Sequence, residues 1–283
     1  PADNISENPK HNFVAEGCVV YTQGDYYVVA DALPVATADE FAAAVKANDK
    51  QINIVLNNDI DVAISSLGQI TGGSGEYKLG GVDTEAITID LNGKKLNITT
   101  TYWSNLGAKN DNAVFTIKNG TMTSSQATGT WNSYDLTFSN CDYIFEDVVF
   151  EKAIAFDNTG KSASLKDVTI KESHDYYAMW ITADGQNITV DNLTIESAGR
   201  GIKIDEQYRD TPAKVTLTVK NSKFTTAKKA AIVVKSVVGA EITVSNVDIT
   251  GVAADTTNAV WVDEDSAAYY DLVTVNGATK IQE

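Results

Sequence analysis

The sequence has few of the side chains that usually build metal and nucleophilic sites. Its 283 residues include only two cysteines, two histidines and four prolines. Cys18 and Cys141 lie far apart and fit no metal-ligand spacing, so no metal site is predicted from them. We interpret them as two unrelated buried thiols rather than a disulfide, and we expect both to be free.

Basic residues are also scarce. The chain has 22 Lys and Arg against 38 Asp and Glu, a net charge of −16. Such a field repels phosphate backbones and anionic lipid heads, which argues against nucleic acids and membrane surfaces as partners. It also argues against a long polyanionic substrate, unless local bases or a bound cation reverse it.

Long apolar runs are missing as well. None approaches the roughly 20 residues needed to span a bilayer, so no transmembrane segment is predicted. No signal peptide is visible, and a chain that starts at Pro1 rather than Met indicates a processed or trimmed N-terminus.

An internal repeat is the strongest positive signal. The pattern apolar, any, Asn or Asp, apolar, any, apolar occurs in FEDVVF, LKDVTI, VDNLTI and VSNVDI, with looser copies in IDLNGKKL, IKNGTM and VKNSKF. Its polar residue falls at Asn92, Asn119, Asp147, Asp167, Asn192, Asn221 and Asn246. A second apolar segment follows most copies after a turn, and both segments alternate with period two. Each repeat therefore contains at least two short strands.

A single unit of this kind cannot bury its apolar face and leaves two open sheet edges. Stacking solves both problems, because each strand then pairs in parallel with its counterpart one coil later, about 4.8 Å away. Inward side chains form continuous apolar columns. We expect the repeated Asn or Asp at the bend of each coil, since Asn tolerates left-handed backbone angles and stacked Asn side chains can hydrogen-bond between coils.

This pattern resembles the right-handed parallel β-helix, or pectate-lyase-like, superfamily over roughly residues 50–283. It is similar in style to secreted and surface β-helix proteins of gut Bacteroides-type bacteria. The resemblance implies an all-β fold: a right-handed single-stranded parallel β-helix with an N-terminal capping α-helix and a short β extension before it.

The opening of the chain fits that resemblance. Thr37 or Asp39 can cap a helix that carries Phe41 and Val45 and closes the end of the apolar column. A hairpin about Gly24 and Asp25 precedes this helix. We therefore divide the chain into an N-terminal β extension, 1–34, and a capping helix plus β-helix, 35–283. Cys18 then belongs to the hairpin and Cys141 to a coil.

The resemblance supplies catalytic motifs to test, and none is complete. Polygalacturonase-like hydrolases carry Asn-x-Asp, Asp-Asp, Gly-His-Gly and Arg-x-Lys, but this chain has no Asp-Asp and no Gly-His-Gly, and Arg200 and Lys203 are one residue too far apart. Pectate lyases carry Arg-x-Pro-x-x-Arg, whereas Arg209 lies three residues before Pro212 with no Arg after it. We assign no catalytic residue. A lyase with a Lys base stays an alternative, since it has no compact motif.

Acidic pairs such as Asp205 and Glu206 are common on a chain of this charge, and we interpret them as solvated turns. Calcium could bind such oxygens, but no EF-hand type of loop is present, so no cofactor is expected.

The second strands predict a candidate site. Their alternation directs six residues inward: Ile202, Ile204, Ile232, Val234, Val260 and Val262. One outward column contains Trp180, Lys203, Val233 and Trp261, and its neighbour contains Thr182, Asp205, Lys235 and Asp263. A slip of one residue in the strand of Trp180 would bury that ring.

Two exposed Trp rings on one flat face, with Lys and Asp beside them, are a candidate sugar-binding platform. The segment SHDYY adds rim residues: His174, Asp175, Tyr176 and Tyr177. The alternative is that a neighbouring loop covers the rings and their role is packing.

We therefore expect a bacterial protein that is secreted or held at the cell surface, adhesin-like or carbohydrate-binding. The expected partner is a glycan or a host or cell-surface polysaccharide. Two alternatives are a polysaccharide lyase or glycoside hydrolase with a non-standard site, and a purely structural spacer.

Overall fold

The structure, a computed structural model, describes residues 18–68, 76–100, 104–126, 134–157, 160–172, 177–182, 185–197, 199–205, 214–226, 231–235, 239–251, 259–263 and 270–282. Among these residues no helix is long and apolar enough to cross a membrane. The chain is all-β, with long stacks of parallel strands that resemble a parallel β-helix.

Each coil of the stack passes through three faces. Faces one and two belong to a 12-stranded sheet, and face three is a 9-stranded sheet. The shorter strands of faces one and two are β3 Leu33–Val35, β4 Gln51–Leu56, β5 Ile60–Ala63, β7 Ala86–Asp90, β8 Lys95–Thr100 and β22 Thr274–Asn276. The longer strands run from face one around a corner into face two: β10 Val114–Gln126, β12 Asp142–Phe150, β14 Ser162–Glu172, β16 Asn187–Ser197, β18 Val215–Thr226 and β20 Ala240–Gly251.

Face three contains the shorter strands that follow each corner. They are β6 Glu76–Leu79, β9 Asn105–Ala108, β11 Tyr134–Ser139, β13 Ala153–Asp157, β15 Tyr177–Ile181, β17 Arg200–Asp205, β19 Ile232–Lys235, β21 Ala259–Val262 and β23 Thr279–Gln282. Strand order in this sheet follows the chain, so each coil lies directly on the one before it.

The corner between faces one and two is built by the repeated Asn and Asp, as the sequence predicts. All seven predicted corner residues have a positive φ, between 50° and 60°. Their side chains also bond from coil to coil: Asn192 Nδ2 donates to Asp167 Oδ1 at 2.6 Å, and Asn246 Nδ2 donates to Asn221 Oδ1 at 2.8 Å. The left-handed bend and the amide ladder together explain why each copy carries the same residue type.

The core is the set of inward columns. Ile181, Ile204, Val234 and Val262 pair in sequence across four coils, and all four are fully buried. The middle coils add an aromatic cluster in which Phe138 contacts Tyr143, Phe145, Phe150 and Phe156. The predicted register of the second strands is confirmed.

The N-terminal end of the core is covered by helix α1, Ala38–Ala44. Thr37 is its N-cap and forms a capping box with Glu40, and Phe41 and Val45 are buried beneath it. A 3-10 turn, Ile64–Leu67, follows β5. Both predictions, the cap and its buried residues, are confirmed.

Before α1, strands β1 Val19–Gln23 and β2 Tyr26–Ala30 form an antiparallel hairpin that turns at Gly24 and Asp25. The hairpin exposes two tyrosines, Tyr26 and Tyr27. Cys18 precedes β1 and Cys141 is buried in the core, and the two form no disulfide, as expected. Cys18 is half-buried, so the expectation that both thiols are buried is wrong for it.

Faces one and two carry regular polar columns. On face one, charges alternate from coil to coil in a column of Asp90, Lys118, Glu146, Lys166, Asp191 and Lys220. Its ends are ion pairs: Lys118 Nζ lies 3.7 Å from Asp90, and Lys220 Nζ lies 3.1 Å from Asp191. The adjacent column is rich in Thr. Polar and charged side chains therefore predominate in these described outward columns.

Candidate functional site

The outward columns predicted for face three are present in the structure. Trp180 pairs with Lys203, Lys203 with Val233, and Val233 with Trp261. In the neighbouring column Asp205 pairs with Lys235. The predicted side chains therefore lie on the outer side of one face, in the predicted register.

The expectation that these rings are exposed is wrong. Trp261 is only 7% exposed, and it packs with Val233 and Tyr177 in a small apolar cluster separate from the main core. Trp180 is half-buried and packs against Ala153 and Ala155. Large side chains stacked one coil apart cover one another, so an outward direction does not make them accessible.

Lys203 and Asp205 form the most buried ion pair among the described residues. The Nζ–Oδ2 distance is 2.6 Å, and the two residues are 8% and 1% exposed. Lys203 Nζ also lies 5.0 Å from the ring centroid of Trp180 and 5.4 Å from that of Tyr177. Both were expected on an open surface, and their burial corrects that. Both groups can be buried because the close ion pair and the aromatic rings beside Lys203 compensate for the loss of hydration.

Arg200 opens β17 beside this pair. Its guanidinium carbon lies 5.3 Å from the Tyr177 ring centroid, and the residue is half-buried. Its Nε is buried without a hydrogen-bond partner, and no described carboxylate forms an ion pair with it. A guanidinium has five N–H donors in a planar fork that suits carboxylate and sulfate oxygens. Arg200 is thus a half-buried cation with at least one N–H donor, at Nε, that has no hydrogen-bond partner.

Other predicted site residues border this group. Lys235 and Asp263 are half-buried at the ends of β19 and β21, and the Asp263 amide donates to the Val234 carbonyl at 3.0 Å. Tyr177, predicted at the rim, is instead buried under the two cations. His174 and Tyr176 lie outside the described residues.

Five residues of face three lie close together, and we call them the cation–aromatic cluster: Tyr177, Trp180, Arg200, Lys203 and Asp205. Two more acidic or basic positions, Lys235 and Asp263, lie along it. Within the described residues no set of three or more His, Cys, Asp or Glu is arranged to hold a metal ion.

Sequence reasoning missed Arg200 as a member of this site. The sequence motifs involve Arg200 only in the comparison with the Arg-x-Lys motif of hydrolases. A usable signal was present, because Arg200 and Arg209 are the only arginines in the chain and Arg200 lies three residues before Lys203.

Comparison of the chain with protein-family models, with curated proteins and with solved structures finds no match.

Proposed function

We propose that the chain is a right-handed parallel β-helix of the pectate-lyase-like type. Support comes from the coil-by-coil parallel pairing, the left-handed Asn corners and the helical cap. Parallel strands joined by crossover connections in one sheet are right-handed in nearly all proteins, which favours that hand here.

We further propose that it is a secreted or cell-surface protein that binds glycans through face three. One observation carries this proposal. Face three concentrates aromatic rings, two cations and a carboxylate in its outward columns, whereas the described outward columns of faces one and two carry no aromatic side chain. A uniform spacer has no need for such a difference between its faces.

The accessible parts of the cluster define how a sugar would bind. Trp180 and Arg200 are half-buried and therefore partly accessible, while Lys203 Nζ lies 5.0 Å from the Trp180 ring centroid and pairs with Asp205. An aromatic surface beside a hydrogen-bonding fork suits a sugar ring that carries a carboxylate or sulfate group. Lys235 and Asp263 extend the polar contacts along the stack.

A glycan array decides between the three classes of function when the same protein is assayed for unsaturated products and for new reducing ends. Binding without product formation supports the proposal. Product formation would instead establish a lyase or hydrolase with a non-standard site. No binding and no product would leave the structural spacer.

A further inference from the structure

The last coil of the stack is incomplete on face two. After β22 the chain turns at Gly277, where φ is 81°, and enters β23 on face three directly. A Cβ on Gly277 would collide with the carbonyl oxygen of Val244, so the chain crosses tightly against β20 at this point. Face two therefore ends at residues 247–251, the second half of β20.

The exposure of this segment agrees with the lack of a covering strand among the described residues. In earlier coils the position of Val247 is held by buried residues such as Val168 and Leu193, but Val247 itself is half-buried. The next inward position is fully buried at Phe224 and rises to 9% exposure at Ile249. Ile249 is thus still buried, and the inward column is partly exposed at Val247.

The backbone of this segment also lacks a described partner strand on one side. Residues 247–251 pair with β18 on one side, and β22 pairs only with residues 241–243, so no described strand lies on the other side. An open cavity of about 610 Å³ lies at the start of this edge, lined by Val244, Asn246, Val247, Gly277, Ala278 and Thr279. An open edge over a cavity is a template for strand addition.

We propose that this edge, residues 247–251 with the cavity beside it, binds an extended basic peptide as an added parallel strand. The register fixes the peptide's pattern. Two of its apolar side chains would cover Val247 and Ile249, and the residue between them would lie beside Asp248, which is exposed.

Charge selects the residue beside Asp248. In the coil before, the same outward position is Lys223, so Asp248 has a cation on one side, and a Lys or Arg in the added strand would place a second cation on the other. A second copy pairing through the same edge would bring two Asp248 carboxylates together on chains of net charge −16. The edge therefore favours a basic partner over another copy of itself.

The test uses two blocked hexapeptides, Thr-Val-Lys-Ile-Thr-Gly and its Thr-Val-Asp-Ile-Thr-Gly counterpart, titrated by fluorescence anisotropy at low salt. The parent protein should bind the Lys peptide at least tenfold more tightly than the Asp peptide. Asp248→Lys should reverse this preference. Glu196→Lys makes the same charge change on an interior coil of face two and should leave the preference unchanged.

Equal binding of both peptides by the parent, or no binding of either, would overturn the proposal. An equal response of the Asp248→Lys and Glu196→Lys variants would also overturn it, because the effect would then be one of net charge. Concentration-dependent dimers in sedimentation, not dissociated by excess Lys peptide, would identify a second copy as the occupant instead. Melting each variant checks that it folds.

Discussion

Removing the carboxylate of Asp205 should destabilise the protein far more than removing an exposed one. Asp205→Asn keeps the shape of the side chain but removes the carboxylate that lies 2.6 Å from Nζ of Lys203, whose side chain is only 10% exposed. Loss of one member of a buried pair costs about 3–5 kcal/mol. The rings of Trp180 and Tyr177 reduce this loss of unfolding free energy only in part, since a cation–aromatic contact contributes about 0.5–2 kcal/mol.

Urea unfolding followed by circular dichroism measures the effect. With a slope of about 3 kcal/mol per molar, the midpoint should fall by roughly 1–1.7 M. The matched control is Asp191→Asn on face one, whose ion pair with Lys220 has a similar distance, 3.1 Å, but side chains that are 44% and 33% exposed. Because solvent screens that pair, its midpoint should barely move.

The double variant Lys203→Met, Asp205→Asn also removes the buried Lys203 ammonium. It should therefore recover most of the unfolding free energy that Asp205→Asn loses. If Asp205→Asn unfolds within about 1 kcal/mol of the parent, the pair is not buried in the way described, and the account of the cation–aromatic cluster is wrong.

Three further outcomes test the fold. Ile204→Asp places a carboxylate between Ile181 and Val234 in a fully buried column, so it should cost several kcal/mol, and an unchanged melting temperature would refute the register. Gln186 is 2% exposed, and neither atom of its side-chain amide has a hydrogen-bond partner among the described residues. Gln186→Met should therefore raise the free energy of unfolding by about 1–3 kcal/mol, measured by urea unfolding, and a loss of stability would contradict this. Burial raises the pKa of Cys141 from 9.0 to about 11, so its thiol favours folding fully below pH 9, and this contribution is lost as the pH rises to about 11. Iodoacetamide at pH 8 without reductant should label one thiol in the native chain and two after unfolding, and no label would reveal a disulfide.

The stacked columns could be predicted because their signals are local. Period-two alternation sets which side chains face inward, and an Asn or Asp at each corner sets where the chain bends. Both signals lie within a few residues, so Ile204 and Asn192 could be placed from the sequence.

The accessibility of the site could not be predicted in the same way. Trp261 points outward as its strand pattern requires, yet it is buried because Val233 and Tyr177, which lie 28 and 84 residues earlier in the chain, pack against it. Arg200 gains its place over Tyr177 through strand pairing between β15 and β17. Burial depends on such contacts between coils, which no single strand encodes.

Glycan titration of Arg200→Gln tests the proposed function most directly. The strongest ligand from the array is titrated by calorimetry into the parent, into Arg200→Gln on face three and into Lys118→Gln on face one, which removes the same charge from a half-buried pair. Arg200→Gln should weaken binding at least tenfold, or about 1.4 kcal/mol, with Lys118→Gln unchanged. Equal affinities for all three proteins would contradict the assignment of glycan binding to face three.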